Sequence, residues 1–276
     1  MTFRVRQGVA MRVRRDLLFV LLPLAASLPV FGGGTALPRA RPEAEGIDAR
    51  GVLALVNRLE AKIDAVHSLM LLRHGHVAAE GWWAPYSAGD MHVMYSVDKS
   101  FIGTAIGLAQ DEGLLDIDDR VIGFFPEITP AKPATFMTQM RIRDLLTMTT
   151  GHKNDMMPHL RARAGDDWTA CFLETDVEFP PGTHFCYDSA GVYMLSAIVQ
   201  KVTGQTVEDY LRPRLFDPLG IDQRLWGKSR EGVNEPGDLY ITTEELAKFG
   251  QLYLQRGVWE GRRLLSPQWV ANATAR

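Results

Sequence analysis

The chain has 276 residues, of which 46% are hydrophobic and 23% are charged, and its formal net charge is −3 at pH 7. These proportions are typical of a globular protein, and the length suits one large domain or one domain with a substantial insertion. The slightly acidic balance excludes the general basic surface of a nucleic-acid-binding protein. The sequence contains neither a Gly-rich phosphate loop nor a dinucleotide fingerprint, and we expect no cofactor.

The first 40 residues resemble an export signal rather than part of a fold. Five arginines before position 16 precede the apolar run 17–31, and small residues follow it. This order predicts a secretory signal over residues 1–40, with cleavage after Ala26 or Ala36. The alternative is an uncleaved anchor, although the run contains Pro23 and Pro29 and is short for a membrane span. We therefore expect an exported, periplasmic or secreted protein, which meets the membrane only if this segment stays uncleaved.

A helix, a hairpin and a second helix are predicted next. Apolar residues at helical spacing predict a helix over 46–63, and two apolar runs around "RHGH" predict a β-hairpin over 67–83. His74 and His76 in that turn could bind a metal, but a solvated hairpin tip is the simpler interpretation. The stretch 96–115 predicts a helix, with Ser96 as N-cap and Gly113 beyond its end.

The remainder of the chain is predicted to be mostly helical, with a helical subdomain over about 118–240. Short helices are expected at 140–151 and 167–174, a long one at 190–204, and another at 206–221 that Pro213 and Pro218 interrupt. Thr242 and Glu245 have capping-box spacing at the start of a helix over 241–257. Strand-forming sequence is concentrated before residue 95, so the hairpin needs further strands to cover its face and edges.

Two sets of residues leave alternatives open. Cys171 and Cys186 have no metal-binding spacing, and they could form one disulfide or remain two separate small buried residues. Ser96 and Lys99 are three positions apart, so one helical turn places them on the same face. They could be a nucleophile and its proton acceptor, or a capping serine followed by an ordinary lysine.

Four stretches together resemble the serine β-lactamase and penicillin-binding protein superfamily, in its class C-like branch. They are "SVDKSFIGTAIGLAQDEGLLDIDDRV" from residue 96, "MRIRDLLTMTTG" from 140, "PPGTHFCYDSAGVYMLSAIVQKVTG" from 180 and "AKFGQLYLQRGVWEGRRLLSPQWV" from 247. The order is that of the superfamily, and the match covers most of residues 45–276. The nearest resemblance is to amide-cleaving serine hydrolases of the 6-aminohexanoate-dimer hydrolase type.

The resemblance implies roles for individual residues. Ser96 falls on the nucleophile, Lys99 on its lysine and Tyr187 on the tyrosine of the second motif, Tyr-x-Asn. Ser189 falls on the asparagine of that motif, so a hydroxyl replaces a substrate-holding amide. Asp98 is a further departure, since small neutral residues are usual there, and we expect its carboxylate to face away from Lys99.

The superfamily's third motif, Lys-[Ser/Thr]-Gly or His-x-Gly, does not occur in this sequence. Members of the superfamily continue for several strands beyond the segment that matches "LSPQWVANATAR". The chain is therefore expected to be truncated, with those C-terminal strands missing from its sheet.

The resemblance implies an α/β (α+β) fold, with an antiparallel sheet flanked by helices and a mostly helical subdomain. The domain would occupy residues 41–276. The implied function is hydrolysis of a small-molecule ester or amide through an acyl-enzyme on Ser96. Two rival functions remain open: a penicillin-binding-type protein that is acylated without turnover, and a non-catalytic remnant.

Overall fold

The computed structural model describes residues 36–163, 165–222 and 224–275. Residues 1–35 of the predicted signal lie outside these ranges. The α-helices are α1 (Ala49–Lys62), α2 (Lys99–Asp111), α3 (Ile142–Leu146), α4 (Met157–Ala162), α5 (Trp168–Leu173), α6 (Ser189–Thr203), α7 (Val207–Leu211), α8 (Asp217–Leu219), α9 (Thr243–Leu254) and α10 (Pro267–Ala273). The strands are β1 (Ser68–Arg73), β2 (His76–Trp82), β3 (His92–Tyr95), β4 (Leu225–Lys228), β5 (Asn234–Ile241), β6 (Val258–Trp259) and β7 (Arg262–Arg263).

The strands form three antiparallel groups: β1 with β2, β3 with β5 and β4, and the short pair β6 with β7. The predicted hairpin and the mixed, antiparallel fold class are confirmed. The prediction that strands are concentrated before residue 95 is wrong, because β4 and β5 lie at 225–241 and β5 pairs with β3. The sequence of β5 includes Pro236 and Gly237, which are poor strand formers, and this explains why its pattern gave no strand signal.

Helix α2 is surrounded by packed apolar side chains, and this fixes the element that begins at the candidate nucleophile. Phe101, Ile102 and Ile106 of α2 have no solvent exposure. The Phe101 ring stacks on Phe249 of α9, with ring centroids 3.8 Å apart. The start of α2 is therefore held by a dense core rather than by its own helix propensity.

The α-helix is interrupted at Pro213, as predicted, since α7 ends at Leu211, but the chain remains helical beyond that point. A π-helical turn, Arg212–Phe216, joins α7 to α8 and contains Pro213. A wider turn accommodates a residue that cannot donate the usual backbone hydrogen bond. The capping box of Thr242 and Glu245 at the start of α9 is confirmed, as is Gly204 beyond the end of α6.

The last residues of the segment that the sequence assigned to the signal, 37–40, pack against the folded chain and dock on β2. Leu37 is buried. Two backbone hydrogen bonds join the segment to Val77 of β2: Ala40 N–H donates to Val77 O at 3.0 Å, and Val77 N–H donates to Pro38 O at 2.8 Å. The backbone N–H of Leu37 also donates to Glu244 Oε1 at 2.5 Å. Folded structure thus begins by Leu37.

Three further expectations concern smaller features of the described ranges. His74 and His76 lie at the hairpin turn beside Glu45, and no cluster of three or more His, Cys, Asp or Glu in the described residues has the arrangement of a metal site. Cys171 and Cys186 are free thiols. Among the helices of those same ranges, none has the length and apolarity needed to cross a bilayer.

The space around two helical glycines predicts opposite effects when each is replaced by alanine. A Cβ at Gly107 of α2 would come 2.2 Å from Trp269, whereas a Cβ at Gly250 of α9 would meet nothing within 4 Å. We expect Gly107→Ala to lower the free energy of unfolding by about 1–3 kcal/mol through overpacking. Gly250→Ala should raise it by about 0.5–1 kcal/mol through helix propensity. Urea unfolding of both variants measures this, and a stabilising Gly107→Ala would contradict the packing.

Candidate active site

The candidate nucleophile opens a tight turn at the start of α2. Residues Ser96–Asp98 form one turn of 3-10 helix that leads directly into α2, and Tyr95 before it has φ 46° and ψ −130°. The prediction that Ser96 caps α2 is wrong, because the N-cap position of α2 is occupied by Asp98, and Ser96 Oγ accepts from Lys99 and Tyr187. The hydroxyl instead faces the other candidate residues, so it is available for chemistry.

Ser96, Lys99 and Tyr187 are brought together by the fold. The Tyr187 hydroxyl donates to Ser96 Oγ at 2.6 Å, and Lys99 Nζ donates to the same oxygen at 3.3 Å. Lys99 Nζ also lies 5.5 Å from the centroid of the Tyr187 ring. Ser96 is exposed and Tyr187 is 43% exposed, so a small molecule can reach the shared oxygen.

This arrangement has the parts that activate a serine. A hydroxyl becomes an effective nucleophile when an adjacent group takes its proton, and a cation nearby stabilises the negative charge that develops. The Ser96 N–H belongs to the first residue of a helical turn, where backbone donors have no partner within the helix. The geometry suits acyl transfer.

Comparison with known proteins shows the family to which the chain belongs. The family model described as Beta-lactamase matches residues 56–276. The chain belongs to the beta-lactamase family. It is 28% identical over 229 residues to the 6-aminohexanoate-dimer hydrolase of Paenarthrobacter ureafaciens, which covers 75% of this chain and 57% of that protein. It is 30% identical over 204 residues to penicillin-binding protein 4 of Amycolatopsis lactamdurans, covering 62% of this chain and 53% of that protein.

A solved structure of the same fold is that of a penicillin-binding protein homologue from Caulobacter crescentus. It matches with a TM-score of 0.64 at 18% identity, over 87% of this chain and 77% of that one. At this identity the likeness shows the fold alone. The chain spans between half and two thirds of the length of the two curated relatives.

In this member of the beta-lactamase family, Tyr187 is carried by a segment that lies along another loop. Three backbone hydrogen bonds join them: Phe179 N–H to Gly151 O, Gly182 N–H to Thr149 O, and Cys186 N–H to Met148 O, at 3.0, 2.8 and 2.9 Å. Gly151 has φ 91°, and a Cβ there would come 2.1 Å from Phe179 O. Only glycine permits this close approach.

Two carboxylates, those of Asp188 and Asp155, hold the backbone that follows Tyr187. Asp188 Oδ1 accepts from the backbone N–H groups of Ala190 and Met156, each at 3.1 Å. Asp155 Oδ1 accepts from Ser189 N–H at 2.9 Å and Met157 N–H at 3.0 Å. Each carboxylate therefore bonds N–H groups at or just before the start of both α4 and α6, so the two helix starts are held together beside Tyr187.

A buried histidine supports Asp188. His152 Nδ1 lies 3.3 Å from Asp188 Oδ2 and 3.1 Å from Thr150 Oγ1, and Nε2 lies 3.0 Å from Thr175 Oγ1. Burial by itself raises the pKa of the Asp188 carboxyl, but the bond from His152 and the N–H of Met156 outweigh it and hold that pKa below its usual range. Sequence reasoning missed this pair, although an aspartate directly before a predicted helix is a capping signal.

Ser189 and Asp98 are not part of the hydrogen-bonded group of Ser96, Lys99 and Tyr187. Ser189 is the first residue of α6, and no described hydrogen bond joins its side chain to Ser96, Lys99 or Tyr187. Asp98 is buried and its carboxylate accepts from Gly237 of β5, while the expectation that it faces away from Lys99 stays a prediction. Burial raises the pKa of Asp98 to about 6, while the N–H of Gly237 and the charge of Lys99 oppose that rise.

The Asp188 network predicts a large loss of stability when the carboxylate is removed. Asp188→Ala leaves His152 and two backbone donors buried without their acceptor, and we expect a loss of about 3–5 kcal/mol in the free energy of unfolding. Since the folded-state pKa is depressed, the part of this stability that depends on the charged carboxylate is fully present above the unfolded-state pKa of about 4, and it is lost as pH falls through the folded-state pKa. Chemical denaturation at pH 7 measures it.

The control for that experiment is Asp166→Ala, which removes a half-exposed ion pair with Arg163. An exposed pair contributes at most about 1 kcal/mol. Equal losses in the two variants would contradict the buried role of Asp188.

Proposed function

We propose that the chain is a serine hydrolase that cleaves a small-molecule ester or amide through an acyl-enzyme on Ser96. The observation that carries the proposal is that one exposed serine oxygen accepts hydrogen bonds from both Tyr187 and Lys99. Membership of the beta-lactamase family supports it. One curated relative is named for hydrolysing 6-aminohexanoate dimer, which favours ester or amide substrates over other classes.

In the proposed first step, Ser96 Oγ attacks the carbonyl carbon of the substrate. Its proton passes to the Tyr187 oxygen. In the form of the site that reacts, Tyr187 has given up its own proton and accepts from Ser96 instead of donating to it, and a positive charge on Lys99 nearby favours that form. The bond from the carbonyl carbon to the leaving oxygen or nitrogen breaks, and the leaving group takes the proton back from Tyr187. In the second step, water gives a proton to the Tyr187 oxygen as its own oxygen attacks the acyl carbon. The bond from that carbon to Ser96 Oγ breaks, Tyr187 returns the proton to Ser96 Oγ, and the carboxylic acid product leaves.

The same proposal assigns the remaining parts. Ser189, on the position of a substrate-holding amide, would contact the substrate from the start of α6 rather than the reacting oxygen. Residues 41–276 would form the hydrolase domain, with the mostly helical subdomain over about 118–240 forming one wall of the site. No cofactor takes part in the steps above.

Export is part of the proposal. The basic and apolar order of the first 31 residues supports a signal, and the docking of residues 38–40 on β2 is compatible with cleavage after either Ala26 or Ala36. The N-terminal sequence of the exported protein decides between them. A chain that keeps its apolar segment in the membrane fraction would support the anchor instead.

A penicillin-binding-type function, with acylation but no turnover, is the second candidate because one relative bears that name. A chromogenic ester and a fluorescent penicillin separate the two. Hydrolysis of the ester beyond one equivalent of enzyme supports the hydrolase. One equivalent of stable penicillin label without further ester turnover supports the alternative, and neither reaction would support a non-catalytic remnant.

The assignment of Ser96 predicts where a serine-directed probe attaches. A fluorophosphonate should add its mass to the peptide that contains Ser96, and Ser96→Ala should abolish labelling. Ser100→Ala, which changes an exposed serine one turn further along, is the matched control and should label at the parental rate. Peptide mass spectrometry reads both outcomes. Label on Ser100 or Ser189 with Ser96 unmodified would overturn the assignment.

A further inference from the structure

Asp98 is a buried carboxylate within the turn that presents Ser96. Its side chain has no solvent exposure. One oxygen, Oδ2, accepts hydrogen bonds from the backbone N–H groups of Gly237 at 2.6 Å and Asp238 at 3.1 Å, both on β5. The residue therefore joins the start of α2 to a strand almost 140 positions further along the chain.

The strand is irregular where Asp98 reaches it. Val93 pairs with Tyr240 and Tyr95 with Gly237, so the register of β3 and β5 shifts between these two pairs. Gly237 has φ 100°, a conformation that glycine adopts at little cost. A bulge leaves backbone donors without a ladder partner, and here the carboxylate of Asp98 accepts from two of them.

The turn itself is held in an unusual conformation. Tyr95, directly before Ser96, has φ 46° and ψ −130°, and such a residue persists only where its surroundings determine it. The turn is attached to β5 on both sides of Ser96. Tyr95 pairs with Gly237 before it, and Asp98 accepts hydrogen bonds from β5 after it. Ser96 lies between them, so its hydroxyl direction depends on both.

Burying a carboxylate opposes folding, which makes a purely incidental role a poor explanation. Desolvation raises the pKa of Asp98, and a small neutral residue in its place would carry no such penalty. Two charged residues adjoin this contact: Lys99, which follows Asp98 in the chain, and Asp238, whose N–H donates to the Asp98 carboxylate. The hydrogen bonds that the carboxylate accepts from Gly237 and Asp238 offset part of this penalty.

We propose that Asp98 is a positioning residue that fastens the Ser96 turn to the bulge in β5 and thereby sets the contact of Ser96 with Tyr187. The effect on reactivity rests on the proposed function of Ser96, but the fastening itself does not. A residue that acts through hydrogen-bond acceptance can be replaced by another acceptor of the same shape. Asp98→Asn should therefore preserve the positioning, and Asp98→Ala should lose it.

The first measurement is amide hydrogen exchange, which does not require activity. In Asp98→Ala, exchange should become faster at Gly237 and Asp238 and in the turn at Ser96 and Val97, and it should stay near parental in Asp98→Asn. Asp167→Ala is the matched control, since Asp167 Oδ1 also accepts from two consecutive N–H groups, those of Thr169 and Ala170. That control should leave the turn and β5 unchanged. Unchanged exchange in Asp98→Ala would overturn the proposal.

The second measurement is the kinetics of fluorophosphonate labelling at Ser96, resolved into the maximal labelling rate and the probe concentration at half saturation. We expect Asp98→Ala to lower the maximal rate about 10- to 100-fold with little change in half saturation, because a small misplacement of a nucleophile has effects of this order. Asp98→Asn should remain within about threefold of the parent. Labelling of Asp98→Ala at the parental rate would refute the positioning role.

The two measurements separate the two claims. If the parent chain is not labelled at Ser96, the proposed function fails, and exchange in the turn alone decides whether Asp98 fastens it. If Asp98→Ala does not fold, Asp98→Ser takes its place, because its shorter side chain cannot span to both N–H groups.

Discussion

Ser96 and Tyr187 are 91 positions apart in sequence, and their hydroxyl oxygens approach to 2.6 Å. This contact requires the starts of two helices, α2 and α6, to meet at a fixed distance and angle. Neither helix end can set that geometry by propensity alone, since helix ends fray and their backbone donors need partners. The rest of the site can be understood as the means by which the fold satisfies those donors and keeps the two ends together.

Carboxylates that accept from backbone N–H groups, two of them buried (Asp98 and Asp188), serve this purpose on both sides of the contact. On the Tyr187 side, Asp188 and Asp155 each bond backbone N–H groups of the α4 and α6 starts, and His152 pairs with Asp188. On the Ser96 side, Asp98 bonds the N–H groups of Gly237 and Asp238. Charge-assisted bonds to backbone donors are stronger than neutral ones and are directional. They offset part of the cost of desolvation and restrict the two turns to one arrangement.

Local pattern in the sequence predicted the elements that local forces define. Helix α6 with Gly204, helix α9 with its capping box and the hairpin β1–β2 all have periodic apolar residues and turn chemistry of their own. Strands β4 and β5 do not, because Pro236 and Gly237 make β5 a weak strand on its own. That strand exists because β3 and β4 pair with it, a tertiary effect that no local window contains.

The site shows the same division. Ser96 and Lys99 share a helical turn, so their proximity could be predicted from spacing, but the side chain of Ser96 was wrongly expected to cap the helix. Tyr187 could be placed beside them only through family resemblance, since nothing in the intervening 91 positions specifies the contact. The partners of Asp98 on β5 depended on a strand that the pattern did not reveal.

The central claim is that Ser96, Lys99 and Tyr187 act as one unit. A double-mutant cycle on the labelling or ester acylation rate tests it, with Lys99→Ala, Tyr187→Phe and the variant that carries both. Groups that serve a single proton transfer are strongly non-additive, so the double variant should be about as slow as the slower single one, each single loss being on the order of 10²–10⁴. Losses that multiply in the double variant, or parental rates in both single variants, would contradict the account.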